Sequence, residues 1–362
     1  MIGGEDKMEE TKNKKKKIII GSIIVILALI VGVGAYAGSK LSKIKKGKVD
    51  KVKLNISKEV DKELGDNYIN VAVFGVNVIK PEESVVDSDA VYVASLNKKT
   101  KEVKLFSVYG NAMMKHNGKD IKMKDAYAKG GPEEAISVLN ETLRLNIKKY
   151  VSMNFKAMAD TIDILGGIEI NVQPDEIPHI NGYAQGIAEL MGKQPKQVTA
   201  PGNQLLDGIQ ATGYCRIRVT EGGDVKRGSR QQDVINKMLG KLKEAKFSQV
   251  DKIIDSVFSQ VETNFKTKEI VKYGKDAMSY QIEMLKPYPR SIKPQQRKPV
   301  DPNIPFTDYE EIVEGIDCKK DVNEIHKELF PEIEGGKNNA GEDTTLCAKP
   351  TFLRGIGDFI ER

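Results

Sequence analysis

Hydrophobic positions along the chain fall into three regimes. The first is an unbroken apolar run, IIIGSIIVILALIVGVGAYAGS from Ile18 to Ser39, without a charged residue. A helix over this run is long enough to cross a hydrocarbon core of about 30 Å, so it predicts a transmembrane helix. A cleaved signal peptide is the rival, because Ala35-Tyr36-Ala37 has the small-x-small form. The apolar region of such a peptide, however, rarely exceeds about 15 residues. In the second regime the period shortens to two. INVAVFGV (69–76), AVYVASL (90–96) and EVKLFSV (102–108) predict three strands, the last two joined through NKKTK as a hairpin. Helical spacing follows Gly130-Gly131: Pro132 suits a first turn, Glu133 and Glu134 favour a helix N-terminus, and Ile136, Leu139 and Leu143 share a face. A strand at Tyr150–Asn154, a helix from Phe155 to Leu165 closed by Gly166-Gly167, and a strand at Ile168–Val172 come next. Gln173–Gln204 has weak patterning and predicts a long loop. Beyond it the pattern predicts a short helix near Asp207–Thr212, a strand at Tyr214–Val219, the loop TEGGDVK and a long helix from Arg227 to Ala245. Amphipathic helices near Val250–Thr263 and Lys268–Gln281 follow. The alternation predicts an α/β fold, a central mixed β-sheet covered by helices.

The third regime is the tail. Eight of the fourteen prolines lie beyond residue 285, and PYPRSIKPQQRKPVDPNIP lacks the donors that ladders and helices need. The expected division is a short cytoplasmic tail (1–17), a transmembrane helix (18–39), a Lys-rich juxtamembrane stalk (40–66), one α/β domain (67–285) and a Pro-rich tail with little regular structure (286–362). Lys12 and Lys14 to Lys17 precede the apolar run, whereas Lys40, Lys43, Lys45, Lys46 and Lys48 follow it, so charge alone does not orient the helix. A short leading tail with the bulk downstream is the layout of a signal anchor whose domain is extracytoplasmic.

Composition removes some chemistry. The formal charge of +6 over 362 residues is too small to imply nucleic acid, and the N-terminal tail carries no helix-turn-helix pattern. His116, His179 and His326 with Cys215, Cys318 and Cys347 match no zinc spacing. Cys215 reads as a buried small hydrophobe; Cys318 and Cys347 read either as a disulfide or as two thiols. Arginine placement is more informative, because only nine of the 57 basic residues are Arg and four lie between Arg216 and Arg230.

In YCRIRVTEGGDVKRGSRQQ, Arg216 and Arg218 would share one face of the predicted strand, while Arg227, Arg230 and Gln231 stand at i, i+3 and i+4 of the predicted helix. Gly222-Gly223 allow a tight turn between them, with Asp224 placed to cap the helix. Four converging guanidiniums need counter-anions, and Glu221 with Asp224 cover at most half of their charge. Forked donors suit phosphate oxygens, so phosphate or pyrophosphate is the best-fitting ligand. A solvated charge run would explain the charge but not the preference for Arg in a Lys-dominated chain.

These residues resemble the LytR-CpsA-Psr family, membrane-anchored bacterial phosphotransferases of the cell envelope. The resemblance runs from about Asn70 to Phe265 through NVAVFGV, SDAVYVASLNKKTKEVKLFSV, KMKDAYAKGGPEEAI, YVSMNFKAMADTIDILGGIEINV and LDGIQATGYCRIRVTEGGDVKRGSRQQDVI. It implies an extracytoplasmic domain in the cell membrane of a Gram-positive bacterium, which moves a glycopolymer such as wall teichoic acid or capsule from a polyprenyl-pyrophosphate carrier to a peptidoglycan hydroxyl. It further implies Arg216, Arg218 and Arg227 as catalytic, these three with Arg230 and Gln231 as pyrophosphate-binding, and a Mg²⁺ ion held by Asp89. Asp224 matches the family's G-G-D aspartate. The chain departs from the family where charge matters. Asn77 stands for the Asp of G-V-D, Asp87 for the Arg of R-S-D, and Gly110 and Asn111 for the Arg and Asp of P-R-D. Asp87 is a candidate to replace the carboxylate lost at Asn77, and Lys80 or Lys115 the charge lost at Gly110. Removing one charged donor commonly costs on the order of 10² to 10³ in rate, so a catalytically degenerate binder of the lipid or glycan is the alternative to an enzyme.

Overall fold

The computed structural model describes residues 38–65, 67–77, 87–275, 279–293, 296–299 and 309–333. The expected transmembrane helix up to residue 37, Lys80 and Cys347 lie outside the described residues, among which no helix is long and apolar enough to cross a membrane. The strands are β1 (Lys45–Lys46), β2 (Tyr68–Val76), β3 (Ser88–Asn97), β4 (Glu102–Val108), β5 (Met113–His116), β6 (Lys119–Lys122), β7 (Lys149–Asn154), β8 (Ile168–Val172), β9 (Gly202–Leu206), β10 (Val261–Thr263), β11 (Gln281–Met284), β12 (Gln296–Pro299) and β13 (Tyr309–Ile312). The helices are α1 (Gly38–Leu41), α2 (Lys58–Leu64), α3 (Met123–Leu143), α4 (Phe155–Ile164), α5 (Ile177–Leu190), α6 (Gly208–Arg216), α7 (Gly223–Lys243), α8 (Phe247–Val257), α9 (Thr267–Lys275) and α10 (Cys318–Leu329).

One mixed sheet of order β1-β10-β7-β2-β3-β4-β11 organises the molecule. β2 pairs antiparallel with β3 and parallel with β7, as its central position requires. Its alternate residues Val71 and Val73 enter one core, which α4, α6, α7 and α8 cover, while Ala72, Phe74 and Val76 enter a second, covered by α3 and α10. Burial of both faces is why NVAVFGV reads as a continuous apolar run rather than an alternating one. The three leading strands, the β3–β4 hairpin, β7, α4 and β8 stand where the periodicity predicts them. Gly130 and Gly131 leave helical geometry within α3, so a helical segment does begin at Pro132, preceded by another from Met123 that the pattern does not reveal.

Four expectations change. The supposed loop Gln173–Gln204 holds α5, whose Ile180 and Ala184 are fully buried. The helix expected to run to Thr263 ends at Val257, because Val261–Thr263 become a sheet strand instead. The Lys-rich stalk is not a free linker: Leu41 and Ile44 enter the core, β1 extends the sheet edge, and Leu54 and Leu64 are fully buried. Those few spaced apolar anchors are hidden among lysines in the sequence. The Pro-rich tail also folds in part. β12 pairs with β13, and α10 buries Val322, Ile325 and Leu329 in the second core. Pro287 and Pro289 lie in the connection after β11, Pro299 ends β12, and α10 lies beyond the run PYPRSIKPQQRKPVDPNIP. Cys318, at the start of α10, is disulfide-bonded, and Cys215 is a buried free thiol that burial pushes up to about 12.

His326 fastens this tail helix. Its ring donates from Nε2 to the Leu143 carbonyl at 2.7 Å and stacks edge-on against Phe330. Burial depresses its pKa, outweighing the bond to Leu143. A neutral buried histidine takes up fewer protons than the unfolded chain, so stability rises with pH through the ordinary histidine value near 6.5 and falls below it. The melting temperature of the protein is therefore expected to drop between about pH 7.5 and 5.5, and to drop less in His326→Gln. An equal drop in both proteins would show that His326 is not the titrating group.

Candidate functional site

The site forms where α6 gives way to α7. Asp207 and Gln210 close a capping box that starts α6, and Gly213 lets its backbone approach α5, since a Cβ there would meet the Ile180 carbonyl at 2.9 Å. The helix therefore runs on through Tyr214, Cys215 and Arg216, so the predicted strand at Tyr214–Val219 is absent. Arg216 ends a helix and Arg218 lies in the connection after it; they do not share a strand face. The period-two pattern of YCRIRV misleads because eight of the nine residues of α6 are buried, leaving no polar stripe to betray the helix. The chain turns at Gly222 (φ 86°) and Gly223 (φ 48°), left-handed values that glycine adopts readily. α7 then begins at Gly223, earlier than the periodicity suggests, which puts Asp224 in its first turn instead of at its cap.

Asp89, on β3, is the hub. Its Oδ1 accepts from Arg218 Nη2 at 2.6 Å and Arg227 Nη1 at 3.3 Å, and Arg216 Nε stands 3.9 Å from Oδ2. Burial alone would raise the Asp89 pKa, but Arg218, Arg227, Arg216 and Lys124 together hold it below the usual carboxylate range. Arg227 is buried and also pairs through Nη2 with Asp224 at 2.5 Å, while Asp224 accepts from the Asn111 backbone N–H. Arg216 and Arg218 are partly exposed, and the Arg216 guanidinium lies over Phe155 and Tyr183 at 5.1 and 5.5 Å from the ring centroids. Gln231 donates to the Asp89 carbonyl at 3.3 Å. Three of the expected arginines and Gln231 thus converge on Asp89.

Arg230 does not. It is 2% exposed, and its three nitrogens donate to Glu176 Oε1 (2.8 Å), the Ile217 carbonyl (3.1 Å) and Thr220 Oγ1 (2.6 Å). Those bonds tie the loop carrying Arg218 to α7 and commit all three nitrogens of the buried Arg230 to protein acceptors. Helical spacing put Arg230 on one face with Arg227, but Glu176, from a segment read as loop, was not visible as its partner.

Lys124 is a site cation that the sequence did not single out. Its backbone N–H donates to the Gly110 carbonyl at 2.9 Å, and its charge acts on Asp89. Burial, then Arg218 and Lys122, lower its pKa. Lys115, the expected replacement, instead pairs with Asp120 across the β5–β6 hairpin. Arg216, Arg218, Arg227 and Lys124 surround two carboxylates, Asp89 and Asp224, leaving cationic excess for a dianion.

The acidic groups near the position where the resemblance implies a Mg²⁺ ion are engaged by protein partners. Such an ion takes six oxygens, commonly with one or two carboxylates among them. Asp89 is already shared among guanidiniums, Asp224 is bound by Arg227 and Asn111, and Asp87 is an exposed neighbour whose backbone pairs with Asn77. Among the described residues no group of three or more His, Cys, Asp or Glu could hold a metal. Asn77 and Asn111 contribute only neutral amide oxygens, both buried and without a hydrogen-bond partner among the described residues.

Beside the arginines opens an apolar cavity. Gln231, Ile235 and Met238 line it from one face of α7, Val73 and Tyr92 from the sheet, and Met158 from α4. Gln231 belongs to both, touching Asp89 and lining the cavity. The pair suits an amphiphile with an anionic head and an apolar tail.

A model of the LytR_cpsA_psr family matches residues 31–292. The chain belongs to that family. The match extends beyond the motifs at 70–265 to take in α2 and the connection after β11, as their burial in the fold would require. Among LytR_cpsA_psr relatives, the Bacillus subtilis (strain 168) protein named polyisoprenyl-teichoic acid–peptidoglycan teichoic acid transferase TagT is 25% identical over 281 residues, 74% of this chain and 84% of that protein. Biofilm regulatory protein A of Streptococcus mutans serotype c is 27% identical over 264 residues, 69% of this chain and 63% of that protein. The solved structure of TagT bound to LI-WTA superposes with a TM-score of 0.53 at 22% identity, covering 77% of this chain and 96% of that one. At that identity the likeness establishes the LytR_cpsA_psr fold.

Proposed function

We propose that the protein is a membrane-anchored phosphotransferase that moves a glycopolymer from a polyprenyl-pyrophosphate carrier to a hydroxyl of peptidoglycan. The observation that carries this reading is the junction of a cationic site with an apolar cavity through Gln231. The relative named as a teichoic acid transferase, 25% identical, supports the substrate class. The apolar run at 18–39 supplies the anchor, with the domain outside the cell, and α1 joins it directly to the core through Leu41.

In this reading the tail lies along Ile235 and Met238, and the pyrophosphate meets Arg216 and Arg218, whose partial exposure leaves them accessible. Arg227, fixed between Asp89 and Asp224, contributes charge from behind and holds Asp89 in place. The acceptor hydroxyl oxygen forms a bond to the sugar-side phosphorus while the bond to the bridging oxygen breaks; polyprenyl monophosphate leaves, and the hydroxyl proton passes to the departing phosphate or to solvent. Guanidiniums oriented before the reaction stabilise charge on the transferred group, as phosphoryl transfer chiefly demands. A binding role without turnover is favoured by one observation, the neutral Asn77 and Asn111 at positions where the family resemblance puts carboxylates.

Ile235→Trp tests the amphiphile reading by filling the cavity one turn from Gln231. It is expected to weaken binding of a polyprenyl pyrophosphate by about tenfold or more while inorganic pyrophosphate binds within about twofold of the parent. Equal affinity of both proteins for the lipid would remove the tail from this cavity.

A further inference from the structure

We propose that Lys124 is an anion-binding residue of this site, its ammonium contacting the phosphate oxygens in place of the arginine charge missing at Gly110. This rests on the pyrophosphate reading above and adds to it a residue outside the charged motifs at 75–77, 87–89, 109–111 and 216–231. The geometry begins at Gly110. A Cβ built there would stand 3.0 Å from Arg227 Nη2 and 3.8 Å from Lys124 Cβ. The side-chain position at Gly110 is thus bounded by the Arg227 guanidinium, the first carbon of the Lys124 stem and the Ser88 carbonyl, and the Gly110 carbonyl holds the Lys124 backbone in register.

The second observation is that the ammonium is paired with no carboxylate among the described residues. Lys124 is half-buried, and among the described residues its side chain makes no hydrogen bond or ion pair. Nearby lysines are already engaged: Lys115 with Asp120 and Lys156 with Asp160. Lys124 sits in the first turn of α3, where the helix dipole disfavours positive charge, and it faces Arg218, Arg227 and Lys122. Its remaining neighbours in charge are Asp89, already shared by three guanidiniums, and Asp125. A partly desolvated cation in such a setting is costly unless an anion joins it. Its lowered pKa has the same origin, burial first and like charge second.

The test uses the full chain in detergent micelles, titrated with inorganic pyrophosphate and, separately, with farnesyl pyrophosphate to distinguish a free from a lipid-borne phosphate. Lys124→Met keeps the apolar stem and removes the charge, and Lys124→Gln serves as a second neutral variant. Both are expected to weaken binding of each probe by about 10- to 100-fold, with Lys124→Arg within about threefold of the parent. The melting temperature of Lys124→Met without ligand should equal or exceed that of the parent, because an unpaired charge has been removed. Arg218→Ala is the control. If it abolishes binding while both neutral Lys124 variants bind as the parent does, Lys124 is not a ligand and the pyrophosphate site stands. If Arg218→Ala also binds normally, the pyrophosphate reading itself falls. Weakening in Lys124→Met that Lys124→Arg fails to restore would assign Lys124 a packing role and overturn the inference.

Discussion

Arg230→Ala is expected to cost about 3 to 5 kcal/mol of folding stability, because it strands a buried Glu176 carboxylate. The change also frees the Ile217 carbonyl and the Thr220 hydroxyl from their donor, so the loop bearing Arg218 loses its tie to α7. Urea denaturation monitored by circular dichroism would measure the cost. Arg230→Ala with Glu176→Met should recover much of it, since the lone charge then disappears. If Arg230→Ala keeps parental stability yet loses pyrophosphate binding, Arg230 is a ligand after all and its three protein bonds do not describe the working state.

Arg218→Ala should do the reverse. Asp89 keeps Arg227 at 3.3 Å and Arg216 nearby, and Arg218 is partly exposed, so stability should fall by no more than about 1 kcal/mol. Turnover, in contrast, should drop on the order of 10² to 10³, the usual loss when one donor aimed at the transition state is removed. Since the same donor meets the ground-state pyrophosphate, binding should weaken as well. A variant with normal rate and affinity would take Arg218 out of the site.

The opposite fates of these two arginines show what the sequence could convey. Strands with both faces in a core, such as β2, announce themselves as apolar runs, and the cluster 216–230 announces an anion site by its concentration of Arg in a Lys-rich chain. Periodicity fails where an element is buried all round. α6 therefore reads as a strand at YCRIRV, and α5 reads as a loop because glycine and alanine dilute its apolar face. Composition fails where a few apolar residues anchor a polar segment, as Leu41 and Leu54 do before the domain and Ile325 does after it. Partnership across the fold is not legible in one dimension at all. Glu176 neutralises Arg230 from 54 positions away, and Lys124 reaches the site from the start of α3 because β4 ends beside it. The acid and arginine losses at Asn77, Gly110 and Asn111 were legible. Their consequence was not, because Lys124 lies in none of those motifs.

Release of polyprenyl monophosphate is the direct signature of transfer. The full chain in lipid vesicles would be given a polyprenyl-pyrophosphate-linked glycan and a peptidoglycan acceptor, and the lipid product followed over time. Acceptor-dependent release by the parent protein, lost in Arg218→Ala, is the expected result. Lipid binding by the parent with no release of the monophosphate would contradict it, and would make the protein a binder of the carrier.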